Sequence, residues 1–181
     1  MVGIGQGVKN NMTRFLEDLR MYREGLLAQG FWALQVYRFG HARLTVRSSL
    51  IRKPWGLLHL VLSKLIELTC GITIGSTASI GRRFVIEHFG GIVIHGHAVI
   101  GDDCKIRQGV TIGAKSPGRP LEAPTIGSRV SIGAGAVLLG NIVIGDDVCV
   151  GANAVVLCDV PSGALAVGVP AVIKARRKND L

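Results

Sequence analysis

A parallel β-helix preceded by a helical segment is the mainly β fold that this sequence predicts, on three observations. The first is a period of six. An aliphatic residue returns at Ile74, Ile80, Ile86 and Ile92. It resumes after a slip of two at Ile94, Ile100, Ile106 and Ile112, then runs through Ile126, Ile132, Leu138, Ile144, Val150 and Val156. The second is what accompanies it. Glycine often follows the aliphatic, as at Gly75, Gly101 and Gly133, and a small or aliphatic residue sits four places on, as at Ala78, Ala98, Val110 and Ala136. The third is composition. The chain is 48% hydrophobic yet only 5% aromatic, as a core of stacked Ile and Val requires. A helix repeats near 3.6 and an ordinary strand near 2, so neither produces a pure six. A hexapeptide period marks short strands joined by turns, three to a triangular coil. The glycines are expected to permit the corner geometry. A β-sandwich would space its turns more widely and less evenly.

Taken in order, residues 1–69 form a helical N-terminal region, 70–174 the coil, and 175–181 a basic tail. Residues 1–11 read as a loose leader. A helix is expected from about Thr13 to Leu27, with Phe15, Leu19, Tyr22 and Leu26 on one face. A second, from about Phe31 to Leu44, places Trp32, Leu34, Tyr37 and His41 on one side, His41 packed or interfacial. A third begins at Pro54, a favoured first-turn residue, and runs to about Thr69. In it His59, Ser63 and Glu67 line up a polar stripe, while the remainder is mostly Leu, Val and Ile. Three such helices make a weak domain alone. They are expected to cap the end coil, whose strand edges are unpaired, or to pack between subunits. The coil has one long interruption, residues 114–125, a loop suited to carrying binding groups.

The chain of 181 residues carries a net charge of +9. That charge suits an anionic cofactor, an anionic glycan or a membrane surface. Nucleic acid is excluded, because the basic residues are not interleaved with aromatics and no binding motif is present. No run of about 18 uncharged apolar residues exists, and residues 57–71 contain Lys64 and Glu67. The start of the sequence has no long apolar signal region, so cytoplasmic residence is the expectation. Cys70, Cys104, Cys149 and Cys158 have no paired spacing and read as buried free thiols, with Cys104 in an inward slot.

His88 is the candidate for chemistry. It follows Glu87 at a turn of its hexapeptide, so its ring should face outward, and imidazole can take and return a proton near neutral pH. His95 and His97 are outward as well and read as corner decoration. No metal is expected: these three histidines fall within ten residues, and no further ligand has a recognisable spacing. Gln108 lies about one coil beyond His88, so the two should stack.

The coil, together with Ile86-Glu87-His88, Gln108-Gly-Val-Thr-Ile-Gly113, the loop, Ile132-Gly-Ala-Gly-Ala136 and Gly168-Val-Pro-Ala171, resembles the serine-acetyltransferase-like hexapeptide acyltransferases over about residues 13–174. The resemblance implies a left-handed coil, an exception to the usual crossover rule. It implies homotrimers, with a dimer of trimers as the larger form, and acetyl-CoA held between neighbouring coils without a metal. His88 matches the general base. Gly113 and Ala114 match the backbone region that meets the thioester, and Ala134 and Ala152 match positions lining the pantetheine arm. Lys174 and Arg176 are chosen for the cofactor phosphates on charge grounds.

The departures concern the acceptor. Thr73 stands where the family has an aspartate that orients the histidine, so Thr73, Glu87 or Gln108 is left to orient the imidazole or the acceptor. Glu122 and Ala123 stand where an Arg-His pair grips the serine carboxylate, and an Arg-Asp-Pro-Ala run is missing. Residues 18–41 and 80–84 resemble the exopolysaccharide O-acetyltransferases of colanic-acid type. The expected function is therefore acetyl transfer to a sugar hydroxyl in exopolysaccharide biosynthesis, with a small-molecule or glycan acceptor. Basic, apolar helices suit a lipid-linked acceptor and peripheral association with a membrane; plain subunit packing is the alternative. Two rival readings are a true serine O-acetyltransferase of cysteine biosynthesis with a rebuilt acceptor site and a non-catalytic β-helix that assembles with partner enzymes.

Overall fold

Stacked aliphatics build the coil. The computed structural model describes residues 4–176, with side chains from residue 13. Three parallel sheets form the faces of a left-handed β-solenoid. The first contains Ile72–Ile74, Ile92–Ile94, Thr111–Gly113, Val137–Leu139 and Val155–Val156. The second contains Ser79–Ile80, Val99–Ile100, Thr125–Ile126 and Val143–Ile144. The third contains Val85–Ile86, Lys105–Ile106, Ser131–Ile132, Cys149–Val150 and Ala164–Val167, and is closed by the antiparallel strand Val172–Ala175. The register stacks like on like: Ile94 on Ile112, Ile100 on Ile126, Ile106 on Ile132, Leu138 on Val156. All these residues are buried, as are Ala78, Ala98, Val110, Val130, Ala136, Val148 and Ala154. Each buried aliphatic contributes about 1.5–3 kcal/mol.

The glycines of the repeat serve a different purpose from the one expected. Left-handed backbone at the corners is taken by Arg83, Asp103, Arg129, Asp147 and Asn153, and by glycines elsewhere such as Gly109 and Gly135. Gly133 and Gly145 have no positive φ; a Cβ on either would come 2.5 Å from a backbone nitrogen of the next coil, that of Ala152 or Ser162. Close approach of successive coils, rather than turn geometry, demands them.

Three α-helices precede the coil: α1 (Ile4–Met21), α2 (Gln29–Ala42) and α3 (Ser49–Cys70). The leader is thus helical from Ile4, and residues 1–3 lie outside the described part. Because α1 ends at Met21, Leu26 leaves the expected face and is exposed. The inward face of α2 is Phe31, Ala33, Leu34 and Tyr37. Trp32 points outward, with its indole N–H donating to the Leu26 carbonyl at 2.7 Å. α3 begins five residues before Pro54, which it tolerates in an exposed early turn. It stops at Gly71, whose φ of 63° turns the chain into the coil while its N–H donates to the Glu67 carbonyl.

The helices cap the first coil with polar groups. The Tyr37 hydroxyl donates to the Ala78 carbonyl at 2.7 Å, Arg38 donates to that of Gly81 at 3.0 Å, and His41 Nδ1 meets that of Ser76 at 3.0 Å. The Tyr22 hydroxyl accepts the Ile86 N–H at 3.1 Å. These groups answer the open edges of an end coil. Behind them Asp18, 1% exposed, holds Arg38 at 2.6 Å and joins α1 to α2.

Candidate active site

The hexapeptide turn after Ile86 leaves the third sheet and enters the first. It carries Glu87 and the exposed His88. Ile86 stacks on Ile106, Ile106 on Ile132 and Ile132 on Val150, and from Ile106 onward this register continues around the corner. It sets Gln108, Ala134 and Ala152 in one column, one residue per coil. The first coil is two residues longer at this corner, so the Gly109 N–H donates to the Gly90 carbonyl at 2.8 Å and Gly90, not His88 as expected, stacks on Gln108. Backbone bonds hold the column. The Gly135 N–H donates to the Gln108 carbonyl, and the Asn153 N–H to that of Ala134, both at 2.8 Å. Gln108 is exposed, Ala134 half-buried and Ala152 exposed. The corner therefore presents an imidazole, then an amide, then two methyls: a polar head and a smooth floor.

Glu87 does not turn toward His88. Its carboxylate accepts from Arg107 Nε at 2.7 Å and from Lys105 Nζ at 3.4 Å, both one coil on. Partial burial would raise this carboxyl, but the Arg107 hydrogen bond and the charges of Arg107 and Lys105 outweigh that and hold it below its ordinary value. The 20-residue offset between Glu87 and Arg107 is the signal from which this clamp could have been read. Thr73 lies in the first coil, in register with Val93. It lines a cleft of about 40 Å³ beneath α2 and α3, with Ser63, Glu67 and Tyr37.

Gly113 and Ala114 sit at the other edge of the first sheet, where the loop leaves it. The strand between the two edges has three residues, so about 10 Å separates them. Gly113 differs from the other repeat glycines. A Cβ there would meet only Leu139 and His95 side chains, at 3.9 and 4.0 Å, and its φ is not positive. Coil packing does not demand a glycine at 113. His95, treated as decoration in the sequence reading, lies directly under it. His95 Nδ1 accepts the His97 N–H at 3.2 Å, which leaves the proton of the neutral ring on Nε2.

Lys174 is exposed on the closing strand. Arg176 donates to the Asp147 carbonyl at 3.2 Å, at a different corner from His88. Both face an open depression with Ser162 and Gly163. Arg177 and Lys178 lie outside the described residues. That corner holds a feature the sequence reading missed, alternating charges one coil apart: Arg83 on Asp103 at 2.5 Å and Arg129 on Asp147 at 2.7 Å. No group of three or more possible metal ligands occurs among the described residues. The four cysteines are free, with Cys70 and Cys104 buried but Cys158 exposed, contrary to the buried reading.

Residues 123–158 match the family described as bacterial transferase hexapeptide (six repeats). The chain is 44% identical over 146 residues to the serine acetyltransferase of Helicobacter pylori strain J99, covering 81% of each. The chain belongs to the serine acetyltransferase family. It is an acyltransferase with acetyl-CoA as donor. Among solved members of that family, one serine acetyltransferase in complex with CoA matches with a TM-score of 0.78 and 33% identity, over 93% of this chain and 72% of that one. Soybean serine acetyltransferase complexed with serine matches with a TM-score of 0.78 and 36% identity, over 90% and 68%.

These relatives, named serine acetyltransferases, overturn the expected sugar acceptor, and they do not show the exopolysaccharide likeness. Geometry removes part of the reason for that expectation. Glu122 is not a lone anion at the acceptor loop, because Arg119 pairs with it at 3.4 Å, and Lys115 adds a further positive charge to the same loop.

Proposed function

We propose that this chain transfers acetyl from acetyl-CoA to the hydroxyl of serine, with His88 as general base. The observation that carries this reading is the corner of a serine-acetyltransferase-family coil on which the exposed His88 stands beside the column Gln108–Ala134–Ala152. His88 takes the hydroxyl proton as the oxygen attacks the thioester carbonyl. The tetrahedral intermediate collapses, the C–S bond breaks, and the imidazolium returns its proton to the leaving thiolate. Ala134 and Ala152 leave room for the pantetheine arm, and Gln108 steadies the imidazole or the acceptor. Gly113 admits the thioester close to backbone N–H groups at 113 and 114, which stabilise the oxyanion.

His88 and Gly113 lie on opposite edges of one sheet, so this mechanism joins the His88 edge of one copy to the Gly113 edge of the next. A homotrimer supplies that arrangement, and a dimer of trimers repeats it. Lys174 serves the cofactor phosphates better than Arg176, which is engaged with Asp147. Thr73 supports the acceptor from the cleft below.

Thiol release from acetyl-CoA, followed with and without L-serine, tests the reading. Serine-dependent release is expected, and its absence would exclude this acceptor. His88→Ala should bind CoA normally in calorimetry yet lose roughly 10²–10⁴-fold in turnover. Unchanged turnover in that variant would remove the imidazole from the mechanism.

A further inference from the structure

α3 is amphipathic in the reverse sense. Its polar stripe faces inward: His59 is 9% exposed, packs against Gly40 and meets the Ser63 hydroxyl at 3.1 Å, while Ser63 and Glu67 line the cleft with Thr73. Its outward face is apolar. Leu50 is 87% exposed, Leu57 65%, Val61 57%, Leu65 55% and Leu68 84%, a single stripe at helical spacing. Ile51, Leu58 and Leu60, each more than half exposed, widen it on both sides. At about 100° per residue this arc spans roughly half the helix circumference and runs about 27 Å along it, with Lys53 and Lys64 as the charged residues inside it.

The face itself carries one ion pair, Lys64 with Glu67 at 2.7 Å, and the charge preceding it along the chain is positive. Residues 25–66 contain Arg38, Arg43, Arg47, Arg52, Lys53 and Lys64 and no Asp or Glu. Arg47, Arg52 and Lys53, at the start of α3, are exposed, and none pairs with a carboxylate among the described residues. Helix-on-helix packing needs an apolar stripe only somewhat over 100° wide. A half-cylinder suits a continuous apolar medium better than a seam against a second helix. Self-association through this face would also bring Arg47, Arg52 and Lys53 of each copy, which lack carboxylate partners among the described residues, near one another. No helix among the described residues is long and apolar enough to cross a membrane.

We infer that α3 lies in the surface of an anionic phospholipid bilayer, its leucine face among the acyl chains and Arg47, Arg52 and Lys53 among the headgroup phosphates. An in-plane helix of this kind binds through buried apolar area and attraction to anionic lipid together. The inference does not depend on which acceptor the enzyme acetylates.

Flotation of the full chain with vesicles tests it. Vesicles of equal parts phosphatidylcholine and phosphatidylglycerol should carry the protein upward, and added salt should weaken the binding. Replacing the three basic residues (Arg47→Ser, Arg52→Ser, Lys53→Ser) should cost roughly a hundredfold in affinity for these vesicles. Leu57→Ser, Val61→Ser and Leu65→Ser together should abolish binding while leaving the circular dichroism spectrum unchanged, since these side chains are exposed. Failure of the unaltered chain to float with anionic vesicles overturns the inference, as does undiminished binding by the leucine-face variant. Light scattering on the same proteins covers the rival occupant: a mass that falls on substitution, with no vesicle binding at any stage, assigns the face to a second copy instead.

Discussion

At the scale of single residues, burial separates chemically similar groups. Cys104 fills an inward slot at 1% exposure, and its Sγ donates to the Gly127 carbonyl at 3.1 Å. Burial pushes its thiol up to about 11, so almost no thiolate is present at neutral pH. Cys158 lies on the surface. A disulfide reagent at mild pH should therefore label Cys158 rapidly in the native protein and Cys104 only after unfolding, as peptide mapping would show. Rapid native labelling of Cys104 would mean that the coil opens locally. The two cysteines also differ in how readable they were. The six-residue count put Cys104 inside, whereas Cys158 falls after the last regular slot, where the count has no hold. Glu122 follows the same logic. Its type was evident, but its pairing with Arg119 depends on how the loop folds.

At the scale of elements, the helical cap is the part whose extents the sequence conveyed least. The six-period runs on for more than a dozen slots, so one ambiguous residue does not disturb it. Each helix has only three to six turns, and propensity places its ends loosely. Pro54 suggested a start that Ser49 in fact provides, and Trp32 looked like a core residue although its neighbour Phe31 fills that place. The tie between α1 and α2 is the Asp18–Arg38 pair, buried at the carboxylate end, with Gln35 donating to the same carboxylate at 3.2 Å. Asp18→Ala leaves a guanidinium without its counter-ion beside the Gly81 carbonyl. The expected loss is about 3–5 kcal/mol, the usual result of breaking one side of a buried pair. Chemical denaturation measures it, and a loss below about 1 kcal/mol would place the pair with ordinary surface ion pairs.

At the scale of the whole molecule, carboxylates along the coil and its cap are tied to arginines. Hydrogen bonds from Arg83 to Asp103, from Arg129 to Asp147 and from Arg82 to Glu17 hold these three carboxyls below their ordinary values, and Glu87 is lowered as well. Each is harder to protonate in the folded chain than in the unfolded one. The unfolded chain therefore binds more protons below about pH 4.5, and stability falls from there downward while changing little above. Denaturation midpoints measured across that range should show the decline, and Arg129→Gln should make it shallower. A midpoint that holds level through pH 3 would show that these exposed pairs contribute nothing, as many surface pairs do.

The coil and the outward-facing imidazole at its corner were legible from the chain alone, because a repeat registers with itself. Once every sixth side chain must be buried, the stacking of Ile86, Ile106 and Ile132 follows, and with it the column Gln108–Ala134–Ala152 at the corner that carries His88. Features outside the repeat belonged to tertiary structure: the pairing of Arg119 with Glu122 in the loop, the extra residues that move His88 out of line with Gln108, and the inward turn of the polar side of α3. The reason is physical. Periodic burial is imposed on a chain by water, which acts on each residue according to its own hydrophobicity. The partner of a charge, or the side of a helix left uncovered, depends on what else has already been packed beside it.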